Sequence, residues 1–370
     1  MNKELNSIGI NKKPEDTTVV VAMSGGVDSS VAAAILKEKG YDVIGITLQL
    51  YTAKQEIKTK TCCSGIDIYD AKEVARKLDI PHYVLNYQEN FKKTVIDNFI
   101  NSYRNGETPI PCVQCNQHIK FDDLLITAKG LGAEFLATGH YIRKKKVNNI
   151  DGLFKAKDES KDQSYFLFQI KEKDLDYLYF PLGDLSKEET RLLAKKYEIS
   201  VANKPESQDI CFIPDGNYRK FLSKYKGFKK PGNILDTNNN IIGKHEGIEN
   251  YTVGQRKHIN VSINEPLYVV KINKENNSIV VGKKDSLKSK QIKIHQINWL
   301  GKKSFLKNKV YKNLNIKVRA RQEPIKGTLE LLENKEGKVL LNDYTYAVSK
   351  GQGCVFYDNQ DQLLGGGWIK

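Results

Sequence analysis

Three cysteines and one glycine turn carry most of the chemistry this sequence can do. Cys112 and Cys115 form a C-x-x-C pair inside TPIPCVQCNQ (108–117), and Cys211 follows far along the chain in ESQDICFI. Thiolates and persulfides are among the few side-chain species nucleophilic enough for attack near neutral pH. A C-x-x-C pair on its own leaves a zinc half-site, a redox pair and cluster ligation all open. Cys62 and Cys63 read as a loop pair and Cys354 as a small core residue. The second feature is Ser24–Ser30, SGGVDSS, which follows the apolar run TTVVVAM (17–23) and precedes VAAAILKEKG. Gly25 and Gly26 let the backbone turn and approach a ligand closely, and Asp28 to Ser30 are placed to cap the helix that begins there. Free N–H groups at that helix start favour phosphate. The turn has no Walker lysine.

The elements around these residues follow from periodicity. DVIGITLQL (42–50) and PHYVLNY (81–87) read as buried strands, and EFLATGHYI (134–142) as a third. Helical spacing covers 70–80, 90–106 and 119–132. Ser186 with Glu189 three residues later predicts a capping box opening a helix over 186–199. Strands alternating with helices predict an α/β doubly wound parallel sheet, with ligands at the carboxyl ends of its strands. SGGVDSS and TGHY (138–141) both fall at such ends. Two interruptions stand out: 49–65 reads as a surface loop, and 108–117 as a proline-stiffened loop presenting thiols. Asn148 to Lys161 reads as a turn or short hairpin. After Cys211 the period changes from 3.6 to 2, which predicts domains at 1–212, 213–285 (small, α+β) and 286–370 (antiparallel barrel).

Lys plus Arg number 59 against 44 Asp plus Glu, a net charge of +15, which points to a polyanionic partner. Ten lysines crowd residues 283–312 against one acid, Asp285. No apolar run approaches the ~20 residues that cross a bilayer and no signal core opens the chain, so a cytosolic protein is expected. Cysteines there are catalytic, metal-binding or buried more often than disulfide-bonded.

SGGVDS resembles the PP-loop of ATP pyrophosphatases, which split ATP between its α and β phosphates. The blocks SGGVDSS, TCCS, TP-x-PC-x-x-CN-x-x-IKF, ATGHY, KDQSYFLF, ESQDICFI, YTVGQRK, PLYVV, SKGQG and LGGGWI occur in this order. Together they resemble the tRNA-uridine 2-sulfurtransferases, the MnmA family, over essentially the whole chain. The resemblance implies 2-thiolation of the wobble uridine of tRNA: adenylation makes the uracil C2 oxygen a leaving group, and sulfur replaces it. It implies ATP with Mg²⁺ held by Ala22, Met23, Ser24, Gly25, Gly26, Val27, Asp28, Ser29, Leu48 and Gly139, and the target base beside Ile110, Pro111 and Cys112. Cys211 would accept a persulfide sulfur from a donor protein, and Cys115 would liberate it, leaving a Cys115–Cys211 disulfide. His140, Lys161, Asp162 and Gln163 would lie beside the tRNA, and Arg321, Gln322 and Gln352 on its anticodon arm. Neither membrane nor DNA is among the implied partners.

Two positions depart from the family pattern. IPC (110–112) stands where NPD is usual, and Gln322 stands where an aromatic is usual. With Cys112 a thiol, Cys112, Cys115 and Cys211 are three soft ligands, enough for a [4Fe–4S] cluster with one open iron. Persulfide relay and cluster-bound sulfur both stay open, and zinc on the same thiols with His118 is a third reading. Rival classes are a PP-loop amide-forming ligase, which needs neither remote thiols nor a basic barrel, and a non-catalytic RNA-binding protein.

Overall fold

The computed structural model describes residues 5–51, 65–147, 150–206, 209–213, 215–228, 230–259, 261, 265–301 and 310–370. Cys62 and Cys63, Ser207 and Gln208, and lysines 302, 303, 307 and 309 lie outside the described residues. The chain divides into two compact units, 1–94 with 112–216, and 95–111 with 217–370.

The first unit is built on a parallel sheet of β1 (Thr18–Ala22), β2 (Asp42–Gln49), β3 (His82–Asn86), β4 (Phe135–Thr138) and β7 (Leu178–Tyr179), in the order β3-β2-β1-β4-β7. Val19, Val20 and Val21 are wholly buried, because helices cover both faces and leave no polar alternation. Each such valine contributes on the order of 1.5–3 kcal/mol of burial. The order reverses between β1 and β4, which stay paired to their last residues, Ala22 and Thr138, and a ligand in such a sheet sits outside the carboxyl ends at that point. The glycine turn leaves β1 and enters α1 (Val27–Glu38). The strand expected over 134–142 stops at Thr138: a Cβ on Gly139 would lie 2.7 Å from the Ser29 nitrogen, so the backbone leaves the ladder to pass the start of α1. β5 (Ile142–Val147) and β6 (Ile150–Lys155) form a hairpin that begins before the stretch 148–161 in which a turn or hairpin is expected and ends inside it. The helix α2 covers Gly65–Lys77, and α3 covers Lys187–Lys196. The capping box of α3 is complete, with Ser186 Oγ accepting from Glu189 N at 3.0 Å and Ser186 N donating to Glu189 Oε2 at 2.6 Å.

The stretch 108–117 is not a loop throughout. Pro111 opens an α turn, Pro111–Gln114, which continues as a π-helix over Cys115–Leu124 and returns to α over Leu125–Gly130. Proline suits the first helical position, where its missing N–H costs nothing.

The second unit contains a helix, Asp97–Arg104, whose buried Phe99 and Tyr103 pack on Phe221 and Tyr218 at 6.1 and 5.0 Å between ring centroids. It also holds a four-stranded sheet in the order β10 (Tyr268–Asn273), β11 (Ser278–Gly282), β8 (Gly232–Leu235), β9 (Ile241–His245). A closed six-stranded barrel follows, of β12 (Lys288–Trp299), β13 (Val310–Lys317), β14 (Ile325–Leu331), β15 (Gly337–Tyr346), β16 (Gly353–Tyr357) and β17 (Leu363–Ile369). Alternation along β15 sends Val339 and Leu341 into the barrel and leaves Leu340 outside. Cys354 is wholly buried in this core, and burial pushes its thiol far above the ordinary range. Among the described residues no helix is long and apolar enough to cross a membrane.

Candidate nucleotide and thiol site

The glycine turn is held open by its own serines. Ser24 N donates to Ser29 Oγ at 3.0 Å, and the Ser29 and Ser30 hydroxyls both donate to the Gly26 carbonyl, at 3.2 and 2.9 Å. Asp28 to Ser30 do not cap α1: the N-cap is Gly26, with no side-chain cap. The serines brace the turn instead, and the first-turn amides keep their anion-facing geometry. Gly25 has φ +71°, and a Cβ there would lie 2.1 Å from the Asp67 carbonyl oxygen, so glycine is required on two counts.

A cavity of about 220 Å³ opens beside the turn. Ala22, Met23, Ser24, Asp28, Ser29, Leu48 and Gly139, seven of the expected nucleotide residues, line it. Ile46, Leu50, Ile119 and Leu124 supply apolar wall, of the kind a nucleobase packs on. Cys115, Lys120, His140 and Gln163 line it too. Cys115 and Lys120 share one face because the helix between them is π-wound. In an α-helix, residues five apart would diverge by about 140°. Cys211 does not line this cavity. It is half-buried, and its neighbour Phe212 packs edge-on against Phe91 at 5.8 Å. Cys112 is exposed, whereas Ile110, in the second unit, is buried.

Lys120 Nζ donates to Asn116 Oδ1 at 2.9 Å and lies 3.5 Å from His140 Nε2. An ammonium has only donors, so Nε2 accepts, and His140 Nδ1 carries the proton it donates to Thr138 Oγ1 at 2.8 Å. Loss of solvation, and then the Lys120 charge, holds the imidazole neutral far below its usual range.

On the other side of the turn a second cavity, about 210 Å³, is lined by Gly26, Val27 and Asp28 and by Lys161, Lys187 and Lys204. Lys187 Nζ donates to Asp28 Oδ1 and Oδ2 at 2.6 and 2.9 Å and lies 3.1 Å from Glu206 Oε1. Lys161 Nζ donates to Glu206 Oε2 at 2.8 Å. Burial would raise the Glu206 carboxyl, but the hydrogen bonds from Lys161 and Lys187 outweigh it and hold the group below its usual range. Lys204 Nζ donates to the Gly25 carbonyl at 2.9 Å and to Asp67 Oδ1 and Asp70 Oδ2 at 2.5 Å each. Tyr141 OH lies 2.9 Å from both Asp28 Oδ1 and Thr190 Oγ1.

The sequence alone does not single out Lys120, Lys187, Lys204 or Tyr141. Only the blocks IKF and TGHY hint at two of them, and nothing local marks a lysine whose partner lies 159 or 179 positions away. Among the KDQ residues, Lys161 and Gln163 line the second cavity. Asp162 is spent internally, accepting from Ala156 N at 3.0 Å and Ser164 Oγ at 2.6 Å. Gln163 Oε1 accepts from Tyr141 N at 2.8 Å.

In the second unit Arg321 is exposed, while both glutamines spend a donor inside the unit. Gln322 Nε2 donates to Thr345 Oγ1 at 3.0 Å and Gln352 Nε2 to the Thr108 carbonyl at 2.9 Å. The described part of the lysine cluster frames two exposed aromatics. Lys290 and Lys288 stand 4.7 and 5.9 Å from the Tyr344 ring, and Lys284 stands 5.3 Å from Tyr346. Among the described residues no group of three or more His, Cys, Asp or Glu side chains could hold a metal ion. Among the described residues the three thiols therefore do not form a preassembled cluster site.

A parallel sheet with a braced, lysine-free glycine turn at its switch point, opening on a cavity with a cysteine, defines a PP-loop nucleotide-binding enzyme domain. The family model described as tRNA methyl transferase HUP domain matches residues 17–215, and those described as tRNA methyl transferase PRC-barrel domain and Aminomethyltransferase beta-barrel domain match 219–283 and 289–369. A tRNA-specific 2-thiouridylase MnmA of Orientia tsutsugamushi is 51% identical over 357 residues, 96% of each chain. That of Roseobacter denitrificans is 48% identical over 370 residues, 99% of this chain and 97% of its own. The chain belongs to the tRNA-specific 2-thiouridylase family.

Proposed function

We propose that this enzyme 2-thiolates the wobble uridine of tRNA anticodons at the cost of ATP, with AMP and pyrophosphate as by-products. The observation that carries the reading is the presence of Cys115 in the same cavity as Ser24, Ser29 and Gly139. A sulfur nucleophile and a phosphate-binding turn then face one reacting atom. ATP fits the site: Ser24–Ser29, Leu48 and Gly139 would hold it, and Mg²⁺ would arrive on its phosphates. The bound nucleotide converts a poor leaving oxygen at C2 into a good one, AMP.

The chain's residues divide the remaining work. Cys211 receives sulfur as a persulfide from a donor protein. Cys115 attacks the inner sulfur of that persulfide, forming the Cys115–Cys211 disulfide and expelling the outer sulfur as hydrosulfide, which displaces AMP from C2. A thiol reductant restores both cysteines. Lys120 supplies positive charge beside Cys115 and the α-phosphate, and its hydrogen bond to His140 keeps that imidazole a neutral acceptor. Lys161 and Gln163 face the tRNA side, while Arg321 and the Lys284–Lys290 face meet the anticodon arm.

The test is tRNA-dependent pyrophosphate release, together with 2-thiouridine measured by mass spectrometry. Cys115→Ser and Cys211→Ser are expected to release pyrophosphate yet form no 2-thiouridine. An amide-forming ligase would instead answer to an amine substrate, methyl transfer would release no pyrophosphate, and an RNA-binding protein would do neither. Thiolation at the wild-type rate by either variant sinks its assigned role.

A further inference from the structure

Cys112 is the one thiol of the three that the sulfur relay leaves idle. It is exposed on the α turn Pro111–Gln114, and the helix runs on from there into the π-wound segment that begins at Cys115. Cys115 is only 8% exposed and lines the cavity beside the glycine turn, while Cys211 is half-buried and lies outside that cavity. A reductant arriving from solution therefore meets Cys112 before it meets Cys115. We propose that Cys112 is the resolving thiol of this enzyme: after each sulfur transfer it attacks Cys115, releases Cys211, and leaves a Cys112–Cys115 disulfide at the surface, where a dithiol reduces it. The proposal rests on the persulfide relay above and goes beyond it in assigning a third cysteine and the order in which the thiols are restored.

Spacing and access support the assignment. Three steps of an α turn separate Cα atoms by about 5 Å, inside the roughly 4.4–6.8 Å range of disulfides, and place the two side chains as neighbours on one helix face. Their Cβ atoms then lie about 5–6 Å apart, against about 3.8 Å in a disulfide, so the turn must tighten to close the bond. A first turn can do so cheaply, because its N–H groups have no intrahelical partners to lose. Bonds and electrons balance. The Cys112 thiolate attacks Cys115 Sγ, the Cys115–Cys211 bond breaks, and Cys211 leaves as a thiolate ready for the next persulfide. One thiolate of the dithiol then attacks Cys112 Sγ and expels the Cys115 thiolate; its second thiolate attacks the mixed disulfide and expels that of Cys112. Two electrons pass from the dithiol to the protein, and the reductant leaves as a disulfide. A thiol held within one helical turn acts at far higher effective molarity than a dissolved one, so resolution need not wait for the cavity to empty.

The experiment follows the disulfide. The full chain is loaded with sulfur from glutathione persulfide, freed of the donor by gel filtration, and given magnesium ATP and unmodified tRNA. It is quenched in acid, alkylated, digested and mapped by mass spectrometry. Wild type is expected to hold Cys112 and Cys115 joined, with Cys211 alkylated, in proportion to the 2-thiouridine formed. Cys112→Ser should stop one step earlier, with Cys115 and Cys211 joined. Cys211→Ser should form neither 2-thiouridine nor a disulfide; 2-thiouridine with Cys112–Cys115 joined in that variant would mean that Cys112 takes the persulfide itself, which overturns the order proposed. With dithiothreitol present for repeated turnovers, Cys112→Ser should lower the ratio of steady-state to first-turnover rate by about tenfold or more, since a dissolved thiol replaces one of far higher effective molarity. The ratio cancels any effect of the side chain on the first transfer. An unchanged ratio overturns the proposal, and so does a wild-type chain that ends with Cys115 and Cys211 joined and Cys112 alkylated; both leave the relay standing. If 2-thiouridine forms while all three thiols stay open to alkylation, the relay itself falls and takes the role of Cys112 with it.

Discussion

Lys204 Nζ donates to the carbonyl oxygen of Gly25 at 2.9 Å, fastening a residue seven places before Cys211 to the turn that faces the nucleotide. The same ammonium neutralises Asp67, which is buried, and Asp70. Removing it leaves a buried carboxylate without its cation. Lys204→Met is expected to lower stability by about 2–4 kcal/mol, less than a fully buried pair because Lys204 itself is partly exposed. Urea unfolding midpoints check this, and a loss below about 0.5 kcal/mol would show the pair to be only a surface interaction.

The two glycines of the turn should respond differently to a single methyl. Gly25→Ala forces a Cβ into the Asp67 carbonyl at a positive φ, and is expected to cost about 3 kcal/mol or more together with ATP binding. Gly26→Ala meets nothing closer than Ser24 Oγ at 3.5 Å, so its stability should stay within about 1 kcal/mol of wild type. Equal effects in thermal melts would contradict the geometry.

His140 sets a pH dependence whose sign is fixed. Its folded pKa is depressed by burial and by Lys120, as burial depresses those of His82, His245 and His295, so the unfolded chain binds more protons once pH falls below about 6.5. Stability should therefore decline from near pH 6.5 downward. Each histidine adds a slope of at most about 1.4 kcal/mol per pH unit. His140→Gln should flatten the decline between pH 6.5 and 5. An unchanged slope would mean that the imidazole takes up its proton in the native state.

The barrel face offers a salt-dependence test. Glutamine at Lys284, Lys288 and Lys290 together should reduce the slope of log Kd for tRNA against log salt by roughly 0.7–0.9 for each phosphate that is no longer neutralised. Tyr344 is 56% exposed, and Tyr344→Ala should cost about 1–3 kcal/mol if a base stacks there. A variant chain with wild-type slope and affinity would assign this face to hydration alone.

Much of the α/β unit is legible in the sequence, because its signals are local. A β-branched run, a Gly-Gly turn and an alanine-rich helix can adopt one arrangement, and Ser186 with Glu189 spells out a cap that forms as written. The two-residue alternation of the barrel strands is equally direct. Residues 108–117 read as a loop because two prolines suggest stiffness, whereas Pro111 occupies the one helical position that tolerates it. The pairing of Lys187 with Asp28 spans 159 positions and exists only once the sheet is wound. The family resemblance, not residue type, is what points to Asp162, Gln322 and Gln352, and the hydrogen bond each makes within its own unit joins positions too far apart or too ordinary in type to be read from the sequence.

The π-wound segment from Cys115 to Leu124 carries one consequence of its own. A π turn holds one residue more than the α turn it replaces, so the segment is a stored register step. Were one residue to pass out of it, Cys112 and Cys115 would rotate by about 100° and slide by about 1.5 Å relative to Leu125–Gly130. A helix can thus swing a sulfur atom between two directions by rewinding, with no hinge loop and no loss of its backbone ladder.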